Sequence, residues 1–129
     1  MKDVKLSIEI NKPVAEVFDF VTDPKNTPSW VPTIVYEETN EWPVKVGSIY
    51  RNRGKSGEWS EYEVTEYKEN EMFVFHKLNS TYHVRYDFVS TPKGGTHLIY
   101  YEWVDEGDLD DPFTQDILEM LKQIMEKPT

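Results

Sequence analysis

The chain has 129 residues, with 24 acidic and 14 basic side chains, and its formal net charge of −10 disfavours binding to nucleic acids and to anionic membrane surfaces. It contains no cysteine, which excludes disulfides, thiolate metal sites and cysteine nucleophiles, and no apolar run long enough to cross a bilayer. The length suits one domain, placed at residues 1–129, and the start MKDVKLSIEI lacks a secretory signal, so we expect a cytoplasmic protein.

The first third of the chain predicts one strand and two short helices. Residues 4–10 alternate between apolar and polar side chains, which is typical of a half-buried strand. A helix is then predicted after Asn11 and Pro13, with an apolar stripe at Val14, Val17, Phe18 and Val21. It must end before Pro24, because the residue ahead of a proline avoids helical geometry. A second helical turn is predicted over residues 24–30.

After Pro32 the apolar pattern changes to a period of two residues. It predicts strands over residues 33–41, 47–54, 58–67, 71–78, 81–90 and 96–104, and the short connections favour antiparallel neighbours. A last helix is predicted from an N-cap at Asp111 and a first helical residue at Pro112. Its apolar face carries Phe113, Ile117, Leu121 and Ile124.

The strand register can be predicted from residue numbers. In an antiparallel hairpin, the numbers of two residues that face each other add up to the same value for every facing pair. A two-residue turn at Asn79–Ser80 and a hairpin centred on Lys93 predict one face shared by five strands, provided that Ile49 pairs with Tyr62. That inner face carries Ile49, Arg51, Ser60, Tyr62, Val64, Phe73, Phe75, Lys77, Tyr82, Val84, Tyr86, Phe88, Leu98, Tyr100 and Glu102.

The inner face mixes aromatic rings with the charged residues Arg51, Lys77 and Glu102. A dry core explains these charges poorly, since charged groups are rarely fully buried without partners. A partly wet cavity between the sheet and a long helix explains them better. The alternatives are that these groups reach solvent at the ends of the sheet, or that Arg51 or Lys77 pairs with Glu102.

The predicted outer face carries Trp59, Tyr67, Tyr101 and Trp103. These rings are either ordinary exposed aromatics or a contact surface, for which a homodimer is one possibility. His76 and His83 are predicted to be cross-strand neighbours on this face. Such a pair can bind a metal, with Glu61 or Glu63 as a candidate oxygen ligand, but two histidines without a third ligand are usually only solvated, so we predict no metal site.

The run INKPVAEVFDFVTDPKNTPSWVP, followed later by VGSIYR and KGGTHL, resembles the START-like, birch-pollen-allergen-like (SRPBCC) superfamily in its polyketide cyclase/dehydrase branch. The resemblance covers nearly the whole chain. It implies an α+β helix-grip fold, in which a curved seven-stranded antiparallel sheet wraps around the C-terminal helix. The two short helices lie between strands 1 and 2 and close one end of the sheet, which explains the early stop of the first helix. Trp30 is then a packing residue between these helices and the sheet.

The resemblance also implies a cavity for a small, mostly apolar or aromatic ligand between the sheet and the C-terminal helix. The predicted ligand-binding residues are Arg51, Tyr62, Phe75, Lys77, Tyr82, Tyr86, Tyr100, Glu102, Ile117 and Leu121. Arg51 and Lys77 are candidates to neutralise a ligand carboxylate or phenolate. No motif calls for a cofactor, since GKSG at residues 54–57 lacks the spacing of a phosphate-binding loop.

Three functions stay open, because this fold hosts several. The first is carriage or sequestration of the ligand. The second is a cyclase or dehydratase that uses general acid–base chemistry, with Glu102 and a tyrosine as candidates. The third is an interaction module that acts on a protein partner.

Overall fold

The computed structural model describes residues 1–128, which form seven strands and three helices. The elements in chain order are β1 (Asp3–Ile10), α1 (Val14–Thr22), α2 (Thr27–Trp30), β2 (Ile34–Thr39), β3 (Ile49–Gly54), β4 (Trp59–Lys68), β5 (Met72–Lys77), β6 (Tyr82–Ser90), β7 (Thr96–Val104) and α3 (Gln115–Glu126). The strands build one antiparallel sheet in the order β1-β7-β6-β5-β4-β3-β2. The sheet curls around α3, so the predicted helix-grip architecture and order of elements are confirmed.

Helix α1 buries the stripe that the sequence predicts. Val17 and Phe18 are 0% and 2% exposed, and the Phe18 ring packs edge-on against Phe88 with centroids 5.0 Å apart. The helix ends where expected, because Asp23, which precedes Pro24, has an extended backbone (φ −76°, ψ 116°). The first helix therefore covers one end of the curled sheet and goes no further.

Helix α3 begins at Gln115, so its predicted start at Asp111 is wrong. An N-cap residue needs an extended backbone, whereas Asp111 has a left-handed one with φ +52°. Residues 111–114 instead form an irregular segment ahead of the helix. Leu118 and Leu121 of α3 are fully buried in the core.

Two hydrogen bonds hold α3 to the β1 edge of the sheet. The Gln115 side-chain amide donates to the carbonyl of Ser7 (2.9 Å), and the Lys122 ammonium donates to the carbonyl of Glu9 (2.7 Å). Because the helix is fixed toward β1, the concave side of the sheet is left less covered toward β2 and β3.

The register of the central strands agrees with the sequence arithmetic. Phe75 pairs with Val84, Phe73 with Tyr86, and Tyr86 with Tyr100. Both hairpins are therefore centred as predicted, with Asn79 adopting the left-handed backbone (φ +61°) that a tight turn requires.

Strand β3 is one residue out of the predicted register. Tyr62 pairs with Tyr50 and not with Ile49. The Gly54 N–H donates to the Glu58 carbonyl (3.0 Å), which leaves a three-residue loop, 55–57, at the tip of the hairpin. Within it the Gly57 N–H donates to the Gly54 carbonyl (3.0 Å), and Gly57 has φ +91°. A three-residue loop that ends on a left-handed glycine is odd-numbered, whereas the prediction assumed an even one.

This shift exchanges the two faces of β3. Tyr50 and Asn52 lie on the concave side and are buried, at 5% and 7% exposure. Arg51 lies on the convex side, where its guanidinium is 4.0 Å from the ring centroid of Trp59. The predicted position of Arg51 on the inner face is therefore wrong.

Strand β4 contains a bulge at Thr65, which changes the face of the residues that follow. Val64 pairs with Phe75 and Tyr67 pairs with Phe73, so three steps along β4 match two steps along β5. Tyr67 consequently packs against Phe18 in the interior (centroids 5.6 Å apart), and its predicted outer position is wrong.

Candidate functional site: an aromatic pocket with a buried carboxyl group

A pocket of about 910 Å³ lies between the concave face of the sheet, α2 and the start of α3. Strands β3 to β7 supply one wall, the segment from α2 into β2 a second, and the segment before α3 a third. The sheet contributes seven aromatic residues to the lining: Tyr50, Tyr62, Phe73, Phe75, Tyr82, Tyr86 and Tyr100.

The aromatic wall is a set of rings that hold one another in place. Phe73 stacks on Tyr86 (4.8 Å between centroids), which meets Tyr100 edge-on (5.2 Å). Tyr100 in turn stacks on Phe113 at 4.3 Å, so the wall continues from the sheet into the segment before α3. A large apolar surface with fixed ring orientations is what a flat or aromatic ligand would need.

The tyrosine hydroxyls of this wall remain protonated at neutral pH. Burial is the main cause that raises the pKa of Tyr62 to about 12, and burial also raises the pKa values of Tyr82, Tyr86 and Tyr100 well above their usual value. These groups act as hydrogen-bond donors and acceptors in the site and not as phenolates.

Glu102 is buried behind the wall and does not line the pocket. It is 1% exposed, one carboxylate oxygen accepts the Tyr82 hydroxyl (2.5 Å), and the other accepts the backbone N–H of Phe113 (2.6 Å). Because both oxygens are engaged, Glu102 joins the sheet to the segment before α3. This geometry differs from the ligand-binding and acid–base roles expected from the sequence.

Glu37 lines the pocket and is more withdrawn from solvent than the other acidic lining residues. Its Oε1 accepts the Thr27 hydroxyl (2.5 Å) and its Oε2 accepts the Asn52 side-chain amide (3.1 Å). Burial raises the pKa of Glu37 to about 7, while these two hydrogen bonds oppose the rise. Although part of the side chain is accessible from the pocket, its carboxyl group is enclosed enough to be only partly ionised near neutral pH.

Sequence patterns do not identify Glu37, because the hairpin pairing that defines the inner face covers β3 to β7 and leaves out β2. The strand carries a bulge near Val35, since Ile34 pairs with Gly54 while Tyr36 pairs with Arg53. The bulge breaks the alternation of the run VYEET, so no period-two pattern marks Glu37 as an inward residue.

The other sequence-predicted site residues fall into three groups. Tyr62, Phe75, Lys77, Tyr82, Tyr86, Tyr100 and Ile117 line the pocket. Leu121 is fully buried in the core beneath α3, outside the lining. Arg51 is on the convex face, 3.8 Å from the Glu38 carboxylate.

The mouth of the pocket is predominantly acidic. Lys77 is a basic lining residue, whereas the acidic lining residues besides Glu37 are Glu58, Asp108, Asp110, Asp111 and Asp116. Asp108 is partly neutralised by the N-terminal amine at 3.0 Å. The field at the mouth therefore favours cationic and neutral molecules over anions.

Trp30 forms part of the pocket wall and is itself buried at 3% exposure. Its ring meets Phe113 edge-on, with centroids 6.1 Å apart, which confirms the expected packing role. The indole Nε1 is buried and has no hydrogen-bond partner within residues 1–128. Burying such a donor costs about 1–3 kcal/mol.

The convex face carries a row of stacked rings. His76 stacks on His83 (4.6 Å) and His83 on Trp103 (4.8 Å). His76 Nε2 lies 2.6 Å from the Ser80 carbonyl, and His83 Nε2 lies 3.0 Å from an Asp105 carboxylate oxygen. In the described part of the chain, no group of three or more His, Cys, Asp or Glu side chains is placed to hold a metal ion. Within the same residues, no helix is long and apolar enough to cross a membrane.

The whole described chain, residues 1–128, matches the model of a family described as polyketide cyclase / dehydrase and lipid transport. None of the curated proteins compared with the chain matches it. Among solved structures, a START superfamily protein from Mycobacterium smegmatis is similar with a TM-score of 0.78 and 16% identity, covering 98% of this chain and 99% of that one.

Two further structures share the fold. The protein XoxI from Bacillus cereus has a TM-score of 0.77 at 13% identity, covering 98% of this chain and 97% of its own. The Aha1 dimer from Colwellia psychrerythraea has a TM-score of 0.71 at 13% identity, covering 98% of each chain. At these identities the likeness concerns the fold.

Proposed function

Because the chain belongs to the polyketide cyclase/dehydrase and lipid transport family, we propose that it binds and carries a small, mostly apolar ligand in the pocket between its sheet and α3. The observation that carries this proposal is the aromatic pocket of about 910 Å³, within the range of roughly 300–1,000 Å³ that small-molecule sites occupy.

The interior supports a ligand that is held mainly by apolar contact. Phe73 stacks on Tyr86 and Tyr86 meets Tyr100 edge-on, so the rings hold one another in fixed orientations and present apolar surface to a ligand. The tyrosine hydroxyls offer a few polar contacts, which orient a ligand without making the site hydrophilic.

Titration with the neutral fluorescent dye N-phenyl-naphthylamine tests this proposal. The variant Ile117→Trp adds an indole to the pocket wall, and we expect it to weaken dye binding by about tenfold or more, a loss of about 1.4 kcal/mol. The control is Val89→Trp, which adds the same ring at an exposed convex position (48% exposed) and should leave the affinity unchanged.

Urea unfolding of both variants verifies that they are folded, and Ser60→Trp repeats the obstruction from β4 if Ile117→Trp does not fold. Equal dye affinities in the obstructed and control variants would contradict binding in this pocket.

A second candidate function is general acid–base catalysis on a carbonyl-containing substrate, with Glu37 as the acid or base. It is favoured by one observation: burial places the pKa of Glu37 at about 7, where a carboxyl group can both accept and donate a proton. Turnover by a base at this position should rise with pH through about 7 and be lost in Glu37→Gln. Turnover that Glu37→Gln leaves unchanged would exclude this role.

Two expectations from the sequence stay predictions. A homodimer through rings on the convex face would use Trp59, which is 43% exposed, and the half-buried Trp103. A cytoplasmic location is the other. Sedimentation of the wild type and of Trp59→Ser tests the first.

A further inference from the structure

The carboxyl group inside the pocket has hydrogen-bond donors but no cation beside it. Within residues 1–128, Glu37 forms no ion pair, and its two polar contacts are the neutral Thr27 hydroxyl and Asn52 amide. An ionised carboxylate that is withdrawn from water without a cation is unfavourable. A positively charged group that arrived in the pocket would remove this imbalance.

The surrounding wall is also suited to a cation. The faces of aromatic rings carry negative charge density, and ammonium groups bind over tyrosine, phenylalanine and tryptophan rings at distances up to about 6 Å. Tyr50, Tyr62, Phe75 and Tyr86 line the same pocket as Glu37. These rings accommodate an apolar skeleton and a cationic head in one space.

The charge at the mouth of the pocket also favours a cationic ligand. Five acidic residues besides Glu37 line the pocket and Lys77 is the basic residue among its lining, in a chain whose formal net charge is −10. Arg51, which the sequence suggested as an anchor for a ligand carboxylate, lies on the other face of the sheet. An anionic ligand would therefore meet repulsion at the mouth and a carboxylate inside.

We infer that the pocket prefers apolar or aromatic amines, bound in their protonated form with the ammonium group against Glu37, over neutral and anionic molecules of the same size. The inference rests on the proposed function, because it names the class of ligand for the same pocket.

The pH dependence of amine binding, which follows the protonation of Glu37, provides a second test of this preference. The titratable side chains that face it are Tyr50, Tyr62 and Tyr86, whose raised pKa values keep them neutral. A protonated amine binds the ionised carboxylate, so its affinity should fall as pH falls through the pKa of about 7. Between about pH 8 and about pH 6 the ionised fraction, and with it the affinity, decreases by about tenfold.

The experiment compares three probes by calorimetric titration: the cationic naphthylethylamine, the neutral naphthylethanol and the carboxylate anion of naphthylacetic acid. These probes share a ring system and differ in charge. At about pH 8 we expect the amine to bind about tenfold or more tightly than the alcohol, and the acetate to bind most weakly. The same titrations at about pH 6 should weaken the amine and leave the alcohol unchanged.

The matched variants are Glu37→Gln and Glu38→Gln, which change neighbouring residues on opposite faces of β2. Glu38 accompanies Arg51 on the convex side, so Glu38→Gln should keep both the preference for the amine and its pH dependence. Glu37→Gln should abolish both and still bind the alcohol.

The outcomes separate the two proposals. If the alcohol binds as tightly as the amine, or if Glu37→Gln keeps the preference, the pocket binds ligands but does not select amines. If none of the three probes binds, the proposed carriage of aromatic ligands fails as well. If Glu37→Gln does not fold, the pH dependence of the wild type alone decides, since a flat profile for the amine overturns the inference.

Discussion

Replacement of Glu102 separates a structural role for this residue from a role in ligand binding. Its carboxylate is 1% exposed and accepts the Tyr82 hydroxyl and the Phe113 N–H. In Glu102→Ala both donors lose their acceptor. Each buried group left without a partner costs about 1–3 kcal/mol, so for the two donors we expect a loss of about 2–6 kcal/mol in the free energy of unfolding.

The variant Glu102→Gln keeps one carbonyl oxygen for the Phe113 N–H, while its amide can donate to the Tyr82 hydroxyl. We therefore expect it to cost only about 1–2 kcal/mol. Its affinity for N-phenyl-naphthylamine should stay within about threefold of the wild type, which is less than about 0.7 kcal/mol, because Glu102 does not line the pocket.

Urea unfolding measures the stabilities, and dye titration measures the affinities. Equal m-values across the variants confirm that the same transition is compared. Glu9→Gln, an exposed change on β1, is the control and should alter neither quantity. The reasoning is refuted if Glu102→Gln keeps its stability and loses dye affinity by about tenfold or more, since Glu102 would then serve the ligand.

Three further changes test the assignment of faces, charges and turns. Arg51→Ala should leave dye affinity unchanged and cost about 0.5–1 kcal/mol in unfolding free energy, because Arg51 contacts Trp59 on the convex side; a loss of affinity would contradict the β3 register. The pKa of Glu37 is raised from 4.5 to about 7, so between these two pH values the native state holds a proton that the unfolded chain has released. The wild type should therefore lose up to about 3 kcal/mol in unfolding free energy as pH rises from about 4.5 to about 7. Glu37→Gln should lack this loss in parallel urea unfolding curves, and the same loss in the variant would place its origin elsewhere. Gly57→Ala forces an alanine into φ +91° and should lower the unfolding free energy by about 1–2 kcal/mol, whereas an unchanged midpoint would mean that the turn is not left-handed.

Much of the fold follows from patterns in the sequence. Alternation along β5, β6 and β7 places Phe73, Tyr86 and Tyr100 on one face. The lengths of the two connecting turns can be predicted from the turn residues Asn79–Ser80 and Gly94, which fixes the register of these strands. Prolines set the limit of α1 for a local steric reason. Such features depend on neighbouring residues and are therefore accessible to sequence reasoning.

The errors in assigning residues to the faces of the sheet share a different cause, which is the insertion of one residue into a hairpin or strand. The loop that ends at Gly57, the bulge at Thr65 and the bulge near Val35 each shift the alternation by one position. A shift of one residue exchanges the faces of everything beyond it. For this reason Arg51 was predicted inside, and Glu37 was not identified.

The candidate site was predicted in its aromatic part and missed in its charged part. Tyr62, Tyr86 and Tyr100 occupy the expected wall. The pairing of Asn52 with Glu37 joins β3 to β2 and depends on the register of both strands, which the sequence did not reveal. A polar contact between the edge strand β2 and its neighbour β3 is determined by the tertiary structure.

Native mass spectrometry of the protein purified from the cells that naturally produce it, followed by denaturing extraction, tests the central claim most directly. We expect one small organic molecule bound per chain, mostly apolar and released on unfolding. The inferred preference further predicts that this molecule contains a basic amine. A bound molecule that is anionic would contradict the preference for amines, and a protein that is consistently empty and binds no aromatic probe would contradict the proposed carriage itself.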